Sequence, residues 1–298
     1  MNSTRTAAFQ NLLESTAARL SSVSGTPQLD AQVLLAHVLQ KPRAWILAHS
    51  ESSLDPQTAS VLETLIQRLE RGEPLPYVLG HWEFFGLDFD ITPDVLIPRP
   101  ETELLVEHAI TWLQASPGRR MVADVGTGSG CIAIAIAMSV PDARVAATDL
   151  SHNALEVARR NAIQHHVADR IDFIECDILP HPNSSPNLGG GRDVRAFDLI
   201  CANLPYIPTQ KLQRLPVYGR EPTLALDGGQ DGLDPFRKLL RLAPDWLAPA
   251  GRILLEIESS RGAAALSLAY DVLTAGEMHL HRDLAGQDRL LEIQMPIL

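Results

Sequence analysis

The fold is decided by residues 121–130, which read Met-Val-Ala-Asp-Val-Gly-Thr-Gly-Ser-Gly. The run Met121–Val125 has the apolar composition of a short buried strand, and a glycine-rich turn follows it directly. A helix is predicted over residues 129–138, so that it begins inside the turn. A strand, a glycine-rich turn and a helix in this order are typical of the first unit of a parallel α/β sheet.

The glycine spacing distinguishes two kinds of ligand. Glycines allow a tight turn and a close approach to a ligand, while a helix N-terminus offers free N–H groups. The dinucleotide fingerprint G-x-G-x-x-G would place its third glycine at position 131, where this chain has Cys131. The G-x-G-x-G spacing found here is typical of S-adenosylmethionine sites, although an ordinary strand-to-helix turn and a nicotinamide site remain alternatives. The residues predicted to contact the cofactor in this glycine turn are Gly126, Thr127, Gly128, Ser129 and Gly130.

Strands and helices alternate beyond this turn. Further buried strands are predicted over residues 144–148, 171–175, 197–202 and 253–257, and further helices over 151–164 and 234–246. The alternation predicts an α/β fold with a parallel, doubly wound sheet. Residues 181–196, rich in Pro, Asn, Ser and Gly, are predicted to form an exposed insertion.

The N-terminal part predicts a separate all-α domain. Thr26-Pro27 and Asp55-Pro56 each offer an N-cap followed by a proline at the first helical position. Two β-rich stretches, residues 82–85 and 87–91, follow a proline-rich boundary near residue 74. We therefore predict a helical domain over residues 1–76, a β-hairpin linker over 77–100 and the α/β domain over 101–298.

Composition excludes several classes of protein. The chain has 298 residues, 45% of them hydrophobic, and a net charge of −11. The hydrophobic share is that of a folded protein, and the acidic balance disfavours direct nucleic-acid binding. The longest apolar run, residues 131–140, is shorter than the roughly 18–20 residues of a membrane span. No membrane partner is expected.

The cysteines and histidines predict no disulfide and no metal site. Cys131, Cys176 and Cys201 lie among apolar neighbours without C-x-x-C spacing, as reduced thiols of a cytoplasmic protein do. The histidines show no spacing typical of metal ligands.

Acidic residues follow the next two predicted strands. Asp149 could accept hydrogen bonds from both hydroxyls of a ribose. Asp177 could accept one from an adenine amino group, and Ile178 could cover the ring. Each residue taken singly is equally well a helix N-cap or a solvated turn. Because open α/β sheets bind ligands at the carboxyl ends of their strands, the three positions together favour an adenosine ligand.

The tetrapeptide Asn203-Leu204-Pro205-Tyr206 ends the fourth predicted strand. An amide or aromatic amine has its lone pair delocalised, and methyl transfer to it requires acceptors that hold its two hydrogens. The Asn203 side-chain oxygen and the Leu204 backbone carbonyl can be those acceptors, and Tyr206 offers a flat wall. Taken without its position, the tetrapeptide would be a simple turn.

In these motifs the chain resembles the peptide chain release factor glutamine N5-methyltransferases, the PrmC/HemK family. The resemblance runs from Leu29 nearly to the C-terminus, and its most specific segment is Arg99-Pro100-Glu101-Thr102-Glu103. Its other segments are residues 83–86, 96–98, 221–229, 231–233 and 283–286.

The resemblance implies a class I S-adenosylmethionine-dependent methyltransferase fold, Rossmann-like, behind a small helical domain that helps to dock the substrate. It implies S-adenosylmethionine as cofactor and peptide chain release factors as protein partners, methylated on the glutamine of their Gly-Gly-Gln motif. The glycine turn, Asp149, Ile178 and Asn203 would contact the cofactor, and the tetrapeptide would bind the substrate glutamine. Arg99 and Glu101 would line the site, unless they form only a local ion pair.

One departure from the family pattern keeps alternatives open. The family usually has proline where this chain has Leu204, although the acceptor there is a main-chain carbonyl. An adenine-N6 nucleic-acid methyltransferase uses a similar tetrapeptide, but the acidic balance disfavours it. An inactive S-adenosylmethionine-binding regulator is favoured only by Leu204.

Overall fold

A computed structural model describes residues 8–180 and 197–296 of the chain. They divide into two units, one ending at His81 and the other beginning at Trp82. The insertion predicted over residues 181–196 lies outside the described residues.

The first unit is helical. Asp55 caps its longest helix as predicted, because the carboxylate accepts hydrogen bonds from the backbone N–H groups of Gln57 and Thr58, at 2.9 and 3.0 Å. Thr26 precedes a helix too, but its hydroxyl bonds the Asp30 carboxylate instead of a backbone N–H. The helices are α1 (Phe9–Leu20), α2 (Pro27–Leu39), α3 (Arg43–Ala48), α4 (Pro56–Glu70) and α5 (Leu75–Leu79). Helix α5 forms where only a boundary was predicted.

The second unit contains a hairpin and a seven-stranded sheet. The hairpin strands are β1 (His81–Phe84), which begins at the last residue of the first unit, and β2 (Leu87–Asp90). The sheet strands are β3 (Met121–Val125), β4 (Arg144–Asp149), β5 (Ile171–Glu175), β6 (Phe197–Ala202), β7 (Leu247–Glu256), β8 (Glu277–Arg282) and β9 (Asp288–Gln294). Their order is β5-β4-β3-β6-β7-β9-β8.

The predicted doubly wound α/β sheet is confirmed, with one difference. Strands β3 to β7 pair in parallel, whereas β9 runs antiparallel to both β7 and β8. The last two strands were not predicted, because neither has the continuous apolar run of a strand buried on both faces. The flanking helices are α6 (Glu103–Ala115), α7 (Cys131–Ser139), α8 (His152–Gln164), α9 (Thr209–Leu212), α10 (Asp234–Trp246) and α11 (Gly262–Val272).

The strand order places a crevice beside β3. Strand β3 lies between β4 and β6. The chain adds β4 and β5 on one side of β3 and then adds β6 and β7 on the other side. Ligands of open α/β sheets bind at such a switch point, outside the carboxyl ends of the strands. The glycine turn, Asp149 and the tetrapeptide all lie at these carboxyl ends.

One buried side chain fastens the hairpin to this edge. Asn161 of α8 is fully buried, and its Oδ1 accepts a hydrogen bond from the Asp90 backbone N–H at 2.7 Å. Its Nδ2 donates to the carbonyls of Asp90, at 3.1 Å, and Ser129, at 2.9 Å. A single amide therefore joins the end of the hairpin to the glycine turn.

Two other sequence-based expectations concern the chain as a whole. Among the described residues, no helix is long and apolar enough to cross a membrane. All three cysteines are free; Cys131 and Cys201 are buried and Cys176 is partly exposed.

Candidate active site

The glycine turn is held by hydrogen bonds to both neighbouring strands. The N–H groups of Gly126 and Thr127 both donate to the Thr148 carbonyl at the end of β4, at 2.8 Å. The Thr127 hydroxyl donates to Asp124 Oδ2 of β3, at 2.6 Å. The turn is thus preorganised by the sheet itself.

The three glycines share a backbone conformation but differ in their surroundings. Gly126, Gly128 and Gly130 all have left-handed φ values, of 72°, 55° and 82°, which favour glycine. At Gly130 an added Cβ would lie 3.1 Å from the Ala158 Cβ on α8, so the helix packs directly on the backbone there. At Gly128 no atom lies within 4 Å of such a Cβ, so this side of the turn is open.

Asp149 fixes the turn from the end of β4. Its Oδ2 accepts a hydrogen bond from the Gly128 N–H at 2.9 Å, and its Oδ1 accepts one from the Ser151 N–H at 2.8 Å. Burial raises the pKa of this carboxyl above its ordinary value. Each carboxylate oxygen has further acceptor capacity, which two vicinal hydroxyls of a ribose would suit.

Asp177 and Ile178 follow β5 but differ in their surroundings. Asp177 is paired with Lys238, and its side chain is 54% exposed. Ile178 has a left-handed φ of 72°, and its carbonyl accepts a hydrogen bond from the Thr148 hydroxyl at 2.6 Å. A non-glycine residue in this region is unusual and occurs often at binding sites. The binding roles of both residues stay predictions.

Asp124, not among the predicted site residues, carries an unsatisfied oxygen. Its Oδ2 accepts hydrogen bonds from Thr127 and from the Ala133 N–H, whereas its buried Oδ1 has no hydrogen-bond partner within the described part of the chain. Burial raises the pKa of this carboxyl to about 7. A buried acceptor without a donor points to a missing partner. The signal in the sequence is an acidic residue inside an apolar strand.

The tetrapeptide lines a cavity of about 160 Å³. Arg99 contributes to the same wall, so the structure brings this predicted substrate residue together with the tetrapeptide. The other lining residues are Leu96, Ile207, Val217, Ala225 and Leu226. Leu204 also faces the core: it is only 3% exposed and packs with the buried apolar residues of the sheet.

A buried polar network lies behind the tetrapeptide. Asn203 Nδ2 donates to Thr102 Oγ1 at 3.0 Å, and the Thr102 hydroxyl donates to Glu256 Oε2 at 2.5 Å. The Tyr206 hydroxyl donates to Glu256 Oε1 at 3.3 Å. Burial, above all, raises the pKa of Glu256 to about 7, and burial next to Glu256 also raises the pKa of Tyr206. Thr102 and Glu256 had not been predicted as site residues.

Arg99 and Glu101 have different partners. Arg99 pairs with the buried carboxylate of Glu221, whose Oε2 also accepts a hydrogen bond from the Ile97 N–H at 3.2 Å. Glu101 Oε1 lies 3.9 Å from Arg289 Nη2. Glu221 therefore holds Arg99 on the cavity wall. The ion pairs described for Arg99 and Glu101 are with Glu221 and Arg289, respectively.

One group of possible metal ligands could not be seen in the sequence. Ligand atoms of His108, His281 and Glu292 lie within 4.8 Å of one another, although α6 is far from β8 and β9 in the chain. Glu292 is already engaged, since its Oε2 lies 2.8 Å from His281 Nε2 and its Oε1 2.5 Å from Arg252 Nη1. A guanidinium at that distance competes with a cation, so we assign no metal to the cluster.

Comparison with protein families gives two matches along the chain. Residues 11–80 match the PrmC N-terminal domain, and residues 100–211 match the methyltransferase small domain. The first match falls on the helical unit, and the second covers α6 to α8, strands β3 to β6 and the tetrapeptide.

Named relatives match most of the chain. A release factor glutamine methyltransferase of Moorella thermoacetica is 43% identical, over 88% of this chain and 89% of its own. The enzyme of the same name from Bordetella pertussis is 40% identical, over 89% of this chain and 94% of its own. Among solved structures, a release factor-specific protein-(glutamine-N5) methyltransferase of Alicyclobacillus acidocaldarius is 29% identical, covering 70% of this chain and 99% of its own with a TM-score of 0.41.

Proposed function

The chain belongs to the release factor glutamine methyltransferase family, and on that premise we propose its reaction. It transfers a methyl group from S-adenosylmethionine to the side-chain amide nitrogen (N5) of the glutamine in the Gly-Gly-Gln motif of peptide chain release factors. One observation carries the proposal: the cavity lined by the tetrapeptide lies at the same sheet edge as the glycine turn. A methyl donor and an amide can therefore meet there.

The residues at this edge suit the chemistry of the cofactor. S-adenosylmethionine, when bound, supplies an electrophilic methyl group on a sulfonium centre. The glycine turn and Asp149 would hold it, with Asp149 accepting from ribose hydroxyls; Ile178 and Asp177 are the predicted adenine contacts. The unsatisfied Asp124 Oδ1 is suited to a cationic N–H donor such as the ammonium group of the methionine part.

The tetrapeptide would prepare the substrate nitrogen. Asn203 Oδ1 and the Leu204 carbonyl would accept the two hydrogens of the substrate amide, and the Tyr206 ring would hold the amide plane. This arrangement turns the nitrogen lone pair towards the methyl group. No strong base is needed beforehand, because the nitrogen becomes far more acidic once it is methylated. Leucine in place of proline keeps the acceptor at position 204, since that acceptor is main chain.

The helical unit is the proposed docking element for the release factor. The proposed compartment is the cytoplasm, because release factors act in translation. A protein substrate presents binding energy remote from the reacting amide, and that energy can position the glutamine. We propose no direct contact with nucleic acid. An adenine-N6 activity becomes one outcome of the test.

The test uses a release factor and methyl-labelled S-adenosylmethionine. We expect label on the intact release factor, none on a release factor whose Gly-Gly-Gln glutamine is replaced by alanine, and none on duplex DNA. Asn203→Ala should reduce the single-turnover rate by roughly 10²–10³ while cofactor affinity changes little. Asn153→Ala, at an exposed position, is the matched control. Label on DNA alone, or full activity of Asn203→Ala, would contradict the proposal.

A further inference from the structure

Three separate segments meet in the network behind the tetrapeptide. Thr102 belongs to the short helix Pro100–Thr102, Asn203 and Tyr206 follow β6, and Glu256 is the last residue of β7. Thr102 is 2% exposed and Glu256 3% exposed, so both are shielded from water. The two groups proposed to flank the substrate amide, Asn203 and Tyr206, therefore share one buried carboxyl.

The chemistry of a carboxylate gives this network a direction. An ionised Glu256 can only accept hydrogen bonds, so the hydrogens of the Thr102 and Tyr206 hydroxyls must both point towards it. With its hydrogen committed, the Thr102 oxygen can only accept, and it accepts from Asn203 Nδ2. The amide nitrogen of Asn203 is thereby turned towards Thr102, and its oxygen is left for another donor.

This orientation is the one that the substrate requires. A substrate amide presents two N–H donors, so the facing end of Asn203 must be its oxygen. If the carboxamide were rotated by half a turn, two N–H groups would face each other and the hydrogen bond would be lost.

We propose that Glu256 is a positioning residue, which as a carboxylate sets the orientation of the Asn203 amide through Thr102 and holds Tyr206 directly. The inference rests on the proposed function, since it concerns how the same site presents its acceptor. It also gives the segment at residues 99–103 a role, because Thr102 connects the carboxyl to the tetrapeptide.

The protonation state of Glu256 then affects the rate. A protonated Glu256 can donate to Thr102, whose hydroxyl is then free to donate to Asn203 and to favour the rotated amide. Burial, above all, raises the pKa of Glu256, the hydrogen bonds from Thr102 and Tyr206 lower it, and the net pKa is about 7. Of the nearby charges, Glu101 raises this pKa and Arg289 lowers it. The other titratable groups that face this carboxyl are Tyr206 and Cys131.

The test compares Glu256→Gln with the parent enzyme in single turnovers on the release factor at saturating cofactor, from pH 6 to pH 9. The parent rate should rise with pH, with a midpoint near the pKa of about 7. In Glu256→Gln the rate should fall by roughly 10- to 100-fold, because a glutamine can donate, and this rise with pH should disappear. Cofactor affinity, measured by calorimetry, should stay within about twofold, since the glycine turn and Asp149 are unchanged.

A second pair of variants guards against a simple loss of folding. Thr102→Val removes the hydroxyl at nearly constant volume and should reduce the rate as Glu256→Gln does. Thr102→Ser keeps the hydroxyl and should recover most of it. Unchanged rate and pH profile in Glu256→Gln, or equal rates in the two Thr102 variants, would overturn the inference. Those outcomes are distinct from a failure of the proposed function, in which the parent enzyme itself would not methylate the release factor.

Discussion

Removing the carboxylate of Asp149 should weaken cofactor binding without unfolding the protein. In Asp149→Ala the N–H groups of Gly128 and Ser151 lose acceptors at 2.9 and 2.8 Å, and the charged acceptor proposed for the ribose hydroxyls of the cofactor is removed. Hydrogen bonds to charged groups contribute about 1.5–3 kcal/mol each, and water will replace part of that loss. We expect binding to weaken by about 1–3 kcal/mol, or roughly 5- to 150-fold in Kd.

The side-chain amide of Asp149→Asn should not restore the affinity. Asparagine keeps one acceptor oxygen but turns an N–H group towards either Gly128 or Ser151, both of which are donors in the parent protein. We therefore expect Asp149→Asn to bind the cofactor about as weakly as Asp149→Ala.

Calorimetric titration with S-adenosylmethionine measures this effect, and thermal unfolding checks the fold of each variant. Asp271→Ala, at an exposed position on α11, is the matched control. Asp177→Ala tests the second predicted carboxylate; since Lys238 already pairs with it at the surface, we expect a loss below about 1 kcal/mol. An unchanged Kd in a stably folded Asp149→Ala would remove Asp149 from the site.

Four further substitutions test the frame of the site. Gly130→Ala should destabilise the fold by about 2–4 kcal/mol in urea unfolding, because it adds a close contact with Ala158 to an unfavourable φ. Gly128→Ala, where the added Cβ meets no atom, should destabilise it by only about 1–2 kcal/mol. Equal destabilisation by the two variants would contradict the packing argument. Leu204→Pro should keep the single-turnover rate but cost about 1 kcal/mol of stability, since one buried carbon is lost; a rate loss like that of Asn203→Ala would show that the backbone carbonyl had moved. Glu256 keeps its proton to about pH 7 when folded, against an ordinary value of 4.5, so the stability it contributes is present below pH 4.5 and lost as pH rises through 7. The free energy of unfolding in urea should therefore fall between pH 5 and pH 8 by about 2–3 kcal/mol less in Glu256→Gln than in the parent protein. Equal falls would refute the assignment.

The sequence predicts those parts of the site that depend on neighbouring residues. A buried strand followed by glycines at fixed spacing needs only local geometry, and the strand Met121–Val125 has the predicted bounds. The tetrapeptide is likewise a contiguous motif, and its four residues lie together in one cavity wall.

The residues that contact these motifs are distant in the sequence and are brought to them by the tertiary fold. Thr102 and Glu256 are 154 positions apart, and only the order of strands in the sheet brings them together. A signal did exist, since Glu256 is a charged residue within the apolar stretch 253–257. Strand β8 was not predicted because its sequence, Glu-Met-His-Leu-His-Arg, is largely polar. It lies at the edge of the sheet, where much of a strand is exposed.

The amide of Asn161 has a consequence for the motions of the free enzyme. It bonds Asp90 at the end of the hairpin and Ser129 in the glycine turn, so an opening of either segment breaks hydrogen bonds that orient the other. Coupling of this kind is reciprocal: the free energy by which a bound ligand disfavours opening of the hairpin equals the free energy by which a closed hairpin favours binding of that ligand. Amide hydrogen exchange at Asp90 should therefore slow when cofactor binds, although the hairpin itself makes none of the proposed cofactor contacts.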